Sequence, residues 1–271
     1  MAVFNIGDIV VRKSHGQDIY FTVIDILNKE SQKPVYVLRG VFYRIEADAS
    51  EDDLIKEDYR NVRLSLQREV LRVKRNTFRG NFINRIFLLG RPRQRPGKIL
   101  HIDSSKKFLN MCRNHYREAG IRSAGYLAAE SEQPQIVGRA LAENRPDILV
   151  VTGHDGIRKN GGSLNSLESY RNSKYFVECV KEARRYEPDF DKLCIFAGAC
   201  QSYYEAIMEA GANFASSPGR ININALDPAI VSEKVALTDK RYYVTPQEIA
   251  RITITGSEGI GGINTRGHLT T

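Results

Sequence analysis

DILVVTGHDG, residues 147–156, and LCIFAGACQS, residues 193–202, are the two runs that decide the fold of this chain. Each begins with apolar, mostly β-branched or aromatic residues and continues into small and turn-forming residues. This pattern is typical of a buried parallel strand that ends at the edge of a sheet. His154 and Cys200 follow the two strands closely, so we expect both side chains at the carboxyl edge, where α/β proteins keep their chemistry.

The chain after Lys98 alternates strand-like and helix-like segments, which predicts a parallel sheet with crossover helices. We expect strands at residues 99–102, 126–129, 148–152, 194–197 and 213–216, with helices on the sheet faces. Ser104 is the expected N-cap of the first helix, because its hydroxyl can accept a hydrogen bond from the first turn. The glycine-rich run 255–262 lacks the order of a nucleotide-binding loop and is expected to be flexible.

The part of the chain before Lys98 reads differently. Residues 6–54 contain short runs that alternate apolar and polar residues, separated by turn-forming stretches, and they predict a small SH3-like β-barrel over residues 1–60. A basic helix or linker is expected over residues 61–97, where GRPRQRPG at 90–97 interrupts any regular element. Residues 98–271 then form the predicted α/β domain.

The net charge of +8 is concentrated in one stretch of the chain. Between Arg60 and Lys98, twelve Lys or Arg residues accompany a single acidic residue, Glu69. Such a stretch can bind nucleic acid or an acidic surface, or it can be a solvated helix face followed by a linker. It keeps open a second function, that of a non-catalytic scaffold or nucleic-acid-binding protein.

Length and composition favour a cytoplasmic protein with a full hydrophobic core. The chain has 271 residues, of which 42% are apolar. No run approaches the roughly 20 apolar residues of a membrane helix, and the N-terminus lacks the features of a signal peptide. The four cysteines include no Cys-x-x-Cys pair, so we expect reduced thiols, no metal and no cofactor.

An imidazole and a thiol at neighbouring strand ends predict a cysteine peptidase. His154 would take the proton of the Cys200 thiol, and the thiolate would attack a substrate carbonyl in a shallow cleft. The oxyanion would be held by the N–H of Cys200 and by one amide from Asp155 or Gly156. Two alternatives stay open: Cys200 is a buried structural residue, or the pair hydrolyses the amides of small molecules.

Acidic residues at the same edge are candidates for a pocket that binds a basic side chain. Asp103 follows the first strand and Asp227 precedes the last helix, so either could hold that side chain. Asp103 could instead be a favourable charge at a helix N-terminus. Asp155 could also line the pocket, or it could form a turn or orient the imidazole. His101, at the end of the first strand, is a reserve candidate for the base.

With these residues in place, the chain resembles the caspase-like and clostripain-like cysteine peptidases. Those families place a His-Gly after one strand and an Ala-Cys after the next, and the resemblance implies a caspase-like sheet. Here His154-Asp155 stands where the families have His-Gly. This difference leaves open which amide completes the oxyanion hole.

Longer runs of the chain are IGDIVVRKS at 6–14, PDILVVTGHDG at 146–156, IFAGACQS at 195–202, AGANFASSP at 210–218 and TGSEGIGG at 255–262. These runs resemble the YabG family of sporulation-specific peptidases. The resemblance implies a protease of the mother cell that processes spore coat and cortex-associated proteins, cleaves next to Arg and processes itself. On this basis the acidic edge would bind Arg, the Arg-rich linker would be a self-cleavage region, and the non-catalytic alternative would be a coat scaffold.

Overall fold

The computed structural model describes residues 3–28, 33–64, 94–158 and 162–270. Residues 59–64 are helical. Most of the predicted basic helix and linker, residues 65–93, lies outside the described residues. Within the described ranges, no helix is long and apolar enough to cross a membrane.

A five-stranded antiparallel sheet forms the N-terminal part of the described chain. Its strands are β1 (Ile9–Arg12), β2 (Phe21–Leu27), β3 (Val35–Gly40), β4 (Glu46–Ser50) and β5 (Leu54–Lys56), in the order β4-β3-β2-β1-β5. Burial alternates along β3, so every second side chain packs into the core, as the sequence alternation predicts. Closure of this sheet into an SH3-like barrel stays a prediction.

A second sheet carries the two runs that decide the fold. It contains β6 (Ile99–Asp103), β7 (Ser123–Leu127), β8 (Ile148–Thr152), β9 (Cys194–Ala197), β10 (Phe214–Ser216) and β12 (Ile260–Gly262). The spatial order is β12-β10-β9-β8-β6-β7, and the strands are parallel except for β12 at one edge. The predicted α/β fold with a mostly parallel sheet is therefore confirmed. Two short strands, β11 (Tyr243–Val244) and β13 (Thr265–Arg266), pair with each other separately.

Helices cover both faces of the parallel sheet. They are α1 (Lys106–Glu118), α2 (Gln133–Asn144), α3 (Ser173–Tyr186), α4 (Tyr204–Glu209), α5 (Asp227–Leu237), α6 (Pro246–Ile252) and α7 (Gly256–Gly259). Alternate residues of β8 point to opposite faces: Ile148 and Val150 join an apolar cluster with residues of α1 and α5, whereas Leu149 and Val151 join one with residues of α2 and α3. The first cluster also includes residues of the antiparallel sheet, so the two sheets share one core.

Three local predictions differ from the structure. The second strand begins at Ser123, and Ser105 rather than Ser104 caps α1, with its hydroxyl oxygen 3.4 Å from the backbone nitrogen of Phe108. The run 255–262 is not a flexible loop, because it forms α7 and the edge strand β12. Its glycines permit close packing: a Cβ on Gly261 would lie 2.6 Å from the Tyr204 hydroxyl.

The loop between β3 and β4, residues 41–45, lies across the carboxyl edge of the parallel sheet. Ile45 forms a parallel bridge with Asp155, and Tyr43 forms an antiparallel bridge with Asn224. The antiparallel sheet therefore covers the edge at which the sequence places His154 and Cys200.

Candidate active site

His154 and Cys200 occupy equivalent positions beyond two neighbouring strands. Val151 of β8 is in register with Ala197 of β9, and each of the two polar residues comes three positions later. The predicted adjacency of these strands is confirmed. The predicted shallow cleft is wrong, because His154 is 1% and Cys200 0% exposed beneath the β3–β4 loop.

The carboxylate of Glu130, which was not among the residues expected from the sequence, orients the imidazole of His154. Its Nδ1 lies 3.2 Å from the Ser104 hydroxyl and 3.5 Å from Glu130 Oε1. The same carboxylate oxygen accepts the backbone N–H of His154 at 2.6 Å and the Ser104 hydroxyl at 2.5 Å. With its proton on Nδ1, directed at these acceptors, the neutral ring carries its lone pair on Nε2.

Glu130 approaches so closely that the residue before His154 must be small. A Cβ on Gly153 would lie 2.6 Å from Glu130 Oε1, which accounts for the glycine in the run TGHD. Glu130 itself directly follows the strand predicted at 126–129. The rule that marked His154, a polar residue just past a strand end, would also have marked Glu130.

The electrostatics favour a neutral imidazole beside an ionised carboxylate. Burial lowers the pKa of His154, and the charge of Arg39 lowers it further. The hydrogen bond to Glu130 acts in the opposite direction and reverses part of this shift. Burial acts to raise the pKa of Glu130, but its hydrogen bonds with His154 and Ser104 outweigh burial and hold that pKa at about 2. At neutral pH the ring can therefore accept a proton.

The thiol of Cys200 is protonated at neutral pH. Burial raises its pKa to about 12, although the N–H of Ile223 and the charge of Arg44 act in the opposite direction. The sulfur lies 3.3 Å from the backbone nitrogen of Ile223 and 3.7 Å from its carbonyl oxygen, and the backbone N–H of Arg44 also acts to lower the pKa of the thiol. The structure thus brings the thiol and imidazole to one edge without a hydrogen bond between them.

The carbonyl oxygen of Arg44 lies between two of the backbone amides that the sequence suggested as oxyanion donors. The carbonyl oxygen of Arg44 accepts the N–H of Cys200 at 3.3 Å and the N–H of Asp155 at 3.1 Å. Of the three amides considered from the sequence, these two converge on one oxygen. The third, the N–H of Gly156, donates to the Asp155 carboxylate at 2.9 Å.

The side chain of Arg44 fills a buried acidic pocket. Its Nη1 lies 2.6 Å from Asp103 Oδ2, and both side chains are 0% exposed. Its Nη2 contacts the Ala225 carbonyl oxygen at 3.3 Å and the Cys112 sulfur at 3.7 Å, and the guanidinium lies 4.8 Å from the centre of the Phe108 ring. Charge, hydrogen bonds and a ring contact therefore hold the Arg44 guanidinium in this pocket.

Asp103 is held ionised at the bottom of that pocket. Burial acts to raise its pKa, but the charge of Arg44 and contact with His101 outweigh burial and lower it. The Thr152 hydroxyl and the Ser105 N–H also donate to this carboxylate, at 2.9 and 2.8 Å. His101 lies behind the pocket, with Nε2 2.8 Å from the Thr152 hydroxyl, so it supports Asp103. Its strand, β6, is separated from β9 by β8, whereas His154 follows β8, the direct neighbour of β9.

The other two acidic candidates lie elsewhere. Asp227 accepts the backbone N–H groups of Ile254 and Thr255 at 2.7 and 3.3 Å, and thereby ties α5 to the segment after α6. Asp155 accepts the hydroxyls of Ser173 and Ser202 at 2.6 and 2.9 Å. Burial raises the pKa of each of the two carboxyls to about 6. Neither is brought to the guanidinium of Arg44, and Asp155 does not orient the imidazole.

Comparison with known proteins gives two findings. The family model for the YabG peptidase U57 matches residues 5–271. A sporulation-specific protease, YabG of Bacillus subtilis (strain 168), is 38% identical over 279 aligned residues, which cover 98% of this chain and 96% of that protein.

Proposed function

This chain belongs to the YabG peptidase U57 family, and from that premise we propose that it is a cysteine endopeptidase that cleaves proteins after Arg during sporulation. One observation carries the proposal. Arg44 lies at the site in the manner of a substrate residue, with its carbonyl oxygen on two backbone N–H groups and its guanidinium on Asp103. The proposed specificity for Arg follows from that carboxylate.

The proposed roles follow from this placement. Cys200 is the nucleophile, His154 the general base, and Glu130 the residue that orients the ring. For the reaction the sulfur must turn from the carbonyl of Ile223 toward Nε2 of His154, which takes its proton. The thiolate then attacks the carbonyl carbon, and the N–H groups of Cys200 and Asp155 hold the oxyanion.

The same imidazole completes the reaction. The protonated ring of His154 gives its proton to the leaving amine as the peptide bond breaks, and a thioester remains on Cys200. Water, activated by the ring, hydrolyses the thioester and regenerates the thiol. Asp103 holds the Arg side chain throughout, so the proposed pocket positions the carbonyl as well as selecting the residue.

The biological setting is part of the proposal. The relative is named a sporulation-specific protease, and we propose that this chain acts in the mother cell on spore coat and cortex-associated proteins. We further propose an SH3-like barrel over residues 1–60, a basic linker over 61–97 and a caspase-like peptidase domain over 98–271.

The test compares variants of Cys200 and His154 with a variant of a second buried cysteine, Cys194. The purified chain and its Cys200→Ala, His154→Ala and Cys194→Ala variants are incubated with an Arg-containing coat protein, and the products are sequenced by mass spectrometry. Cys194 is also buried, with its pKa raised to about 12 by burial, but it lies within β9. We expect cleavage after Arg by the chain and the Cys194 variant, and none by the other two. Full activity of Cys200→Ala or His154→Ala would refute the assignment.

A further inference from the structure

The β3–β4 loop is a hairpin loop whose two ends are held together by the pairing of β3 with β4. Arg39 at the end of β3 pairs with Glu46 at the start of β4, and the N–H of Gly40 donates to the Ile45 carbonyl oxygen at 2.9 Å. A Cβ on Gly40 would lie 2.5 Å from the Tyr43 carbonyl oxygen, so the tight path requires glycine. The hairpin thereby presents one peptide bond, Arg44–Ile45, to the parallel sheet.

The backbone before and after the Arg44–Ile45 bond pairs with the backbone of the site. On the amino side, Tyr43 forms an antiparallel bridge with Asn224. On the carboxyl side, the N–H of Glu46 donates to the Asp155 carbonyl oxygen at 2.9 Å. Main-chain pairing on both sides, together with one buried specificity side chain, is how extended peptides are recognised.

Close packing fixes the loop in this position. A Cβ on Gly156 would lie 2.2 Å from the Glu46 carbonyl oxygen, so the backbone of β4 passes directly over the site. The fully buried Arg44 side chain fills the acidic pocket. A second Arg side chain cannot enter this pocket while the loop is in place.

We propose that Arg44–Ile45 is the bond that this chain cuts in itself, and that the uncut loop excludes other substrates. The inference rests on the proposed function and adds the position of the cut. The Cys200 sulfur attacks the Arg44 carbonyl carbon, the bond to the Ile45 nitrogen breaks, and His154 transfers the thiol proton to that nitrogen. Water then hydrolyses the thioester, which leaves the Arg44 carboxylate and the Cys200 thiol.

The hairpin has a consequence for the products. Pairing between β3 and β4 does not depend on the cut bond, so residues 1–44 and 45–271 stay associated after cleavage. The new Ile45 amine is also kept beside the thioester, and this proximity favours resealing over hydrolysis. We expect a slow cut whose two pieces elute together in buffer and separate in denaturant.

The experiment follows the new N-terminus that forms in the full-length chain. Samples are taken over time, denatured, and examined by intact mass and N-terminal sequencing. We expect a fragment beginning at Ile45 in the unaltered chain and none in Cys200→Ala. Arg44→Gln should slow this cut about 100-fold or more, because the site would lose the charge it is built to bind. Arg60→Gln, an exposed position at the start of the basic stretch, should have no effect.

A second variant tests the same inference without relying on Arg44→Gln to fold. In the short-loop variant, Asn-Gly replaces residues 41–44, a two-residue turn suited to the hydrogen-bonded Gly40–Ile45 pair. It should show no fragment near this position and should cleave an added Arg-containing protein about tenfold faster or more, because the site is open in every molecule.

The outcomes separate this inference from the proposed function. Cuts confined to residues 60–98, or an intact chain that nevertheless cleaves added protein after Arg, would overturn the inference and leave the proposed function standing. A short-loop variant that is folded but no faster would also overturn it. Cleavage of added protein by Cys200→Ala would instead defeat the proposed function.

Discussion

Replacing Asp103 by Asn should strongly destabilise the folded chain, in which the Arg44 side chain fills the acidic pocket. The carboxylate and the Arg44 guanidinium are 2.6 Å apart and both are 0% exposed, so the substitution leaves a buried cation without its counterion. Removing one partner of such a pair costs about 3–5 kcal/mol. With a urea dependence of about 2.5 kcal/mol per molar, the unfolding midpoint should fall by roughly 1–2 M.

The assay is urea unfolding followed by circular dichroism, with Cys200→Ala as the background so that no chain is cut. Asp8→Asn is the matched control, because Asp8 pairs with Lys56 at 2.8 Å on the surface of the antiparallel sheet, with 61% of the Lys56 side chain exposed. That pair should contribute only about 0–1 kcal/mol. Equal midpoints for the two variants would refute the account of a buried, charge-dependent pocket.

Further predictions concern the imidazole and the fit of the loop. Glu130→Gln should lower kcat at least about tenfold, because His154 would be held less firmly. The Glu130 carboxylate raises the pKa of the imidazole, so its loss should move the acid limb of the kcat/KM profile to lower pH. An unmoved acid limb would contradict the assignment of Glu130. Gly156→Ala should displace the loop by a clash with the Glu46 carbonyl oxygen, and so speed thiol labelling by iodoacetamide at pH 7.5. Gly138→Ala, a helical position with no atom within 4 Å of the added carbon, should leave labelling unchanged, and equal labelling rates would count against the close approach.

Local patterns in the sequence predict the parallel sheet and one edge of the site. Apolar runs that end in small and polar residues locate β8 and β9, and their equivalent ends place His154 and Cys200 at the same edge of the sheet. The same reasoning marks Asp103 at the end of β6. These successes depend on short-range periodicity and on the rule that parallel strands share a carboxyl edge.

The occupant of the pocket could not be predicted in this way. Arg44 lies 59 positions before Asp103, in the loop of a separate sheet, and nothing in its local sequence indicates that it is buried. Its placement follows from tertiary packing, which brings a whole hairpin onto the edge. The sequence left the burial of Cys200 open for the same reason, since the cover comes from a distant part of the chain.

The most direct measurement is covalent labelling of the short-loop variant with an arginyl chloromethylketone, followed by peptide mapping. The pocket offers two thiols to such a probe, because Cys112 lies 3.7 Å from Nη2 of Arg44 and Cys200 donates its N–H to the Arg44 carbonyl oxygen. Burial raises the pKa of both thiols to about 12 in the closed form, so reactivity depends on which one the open site activates. The account predicts modification of Cys200 alone, abolished by His154→Ala. Modification of Cys112 with Cys200 unmodified would contradict it.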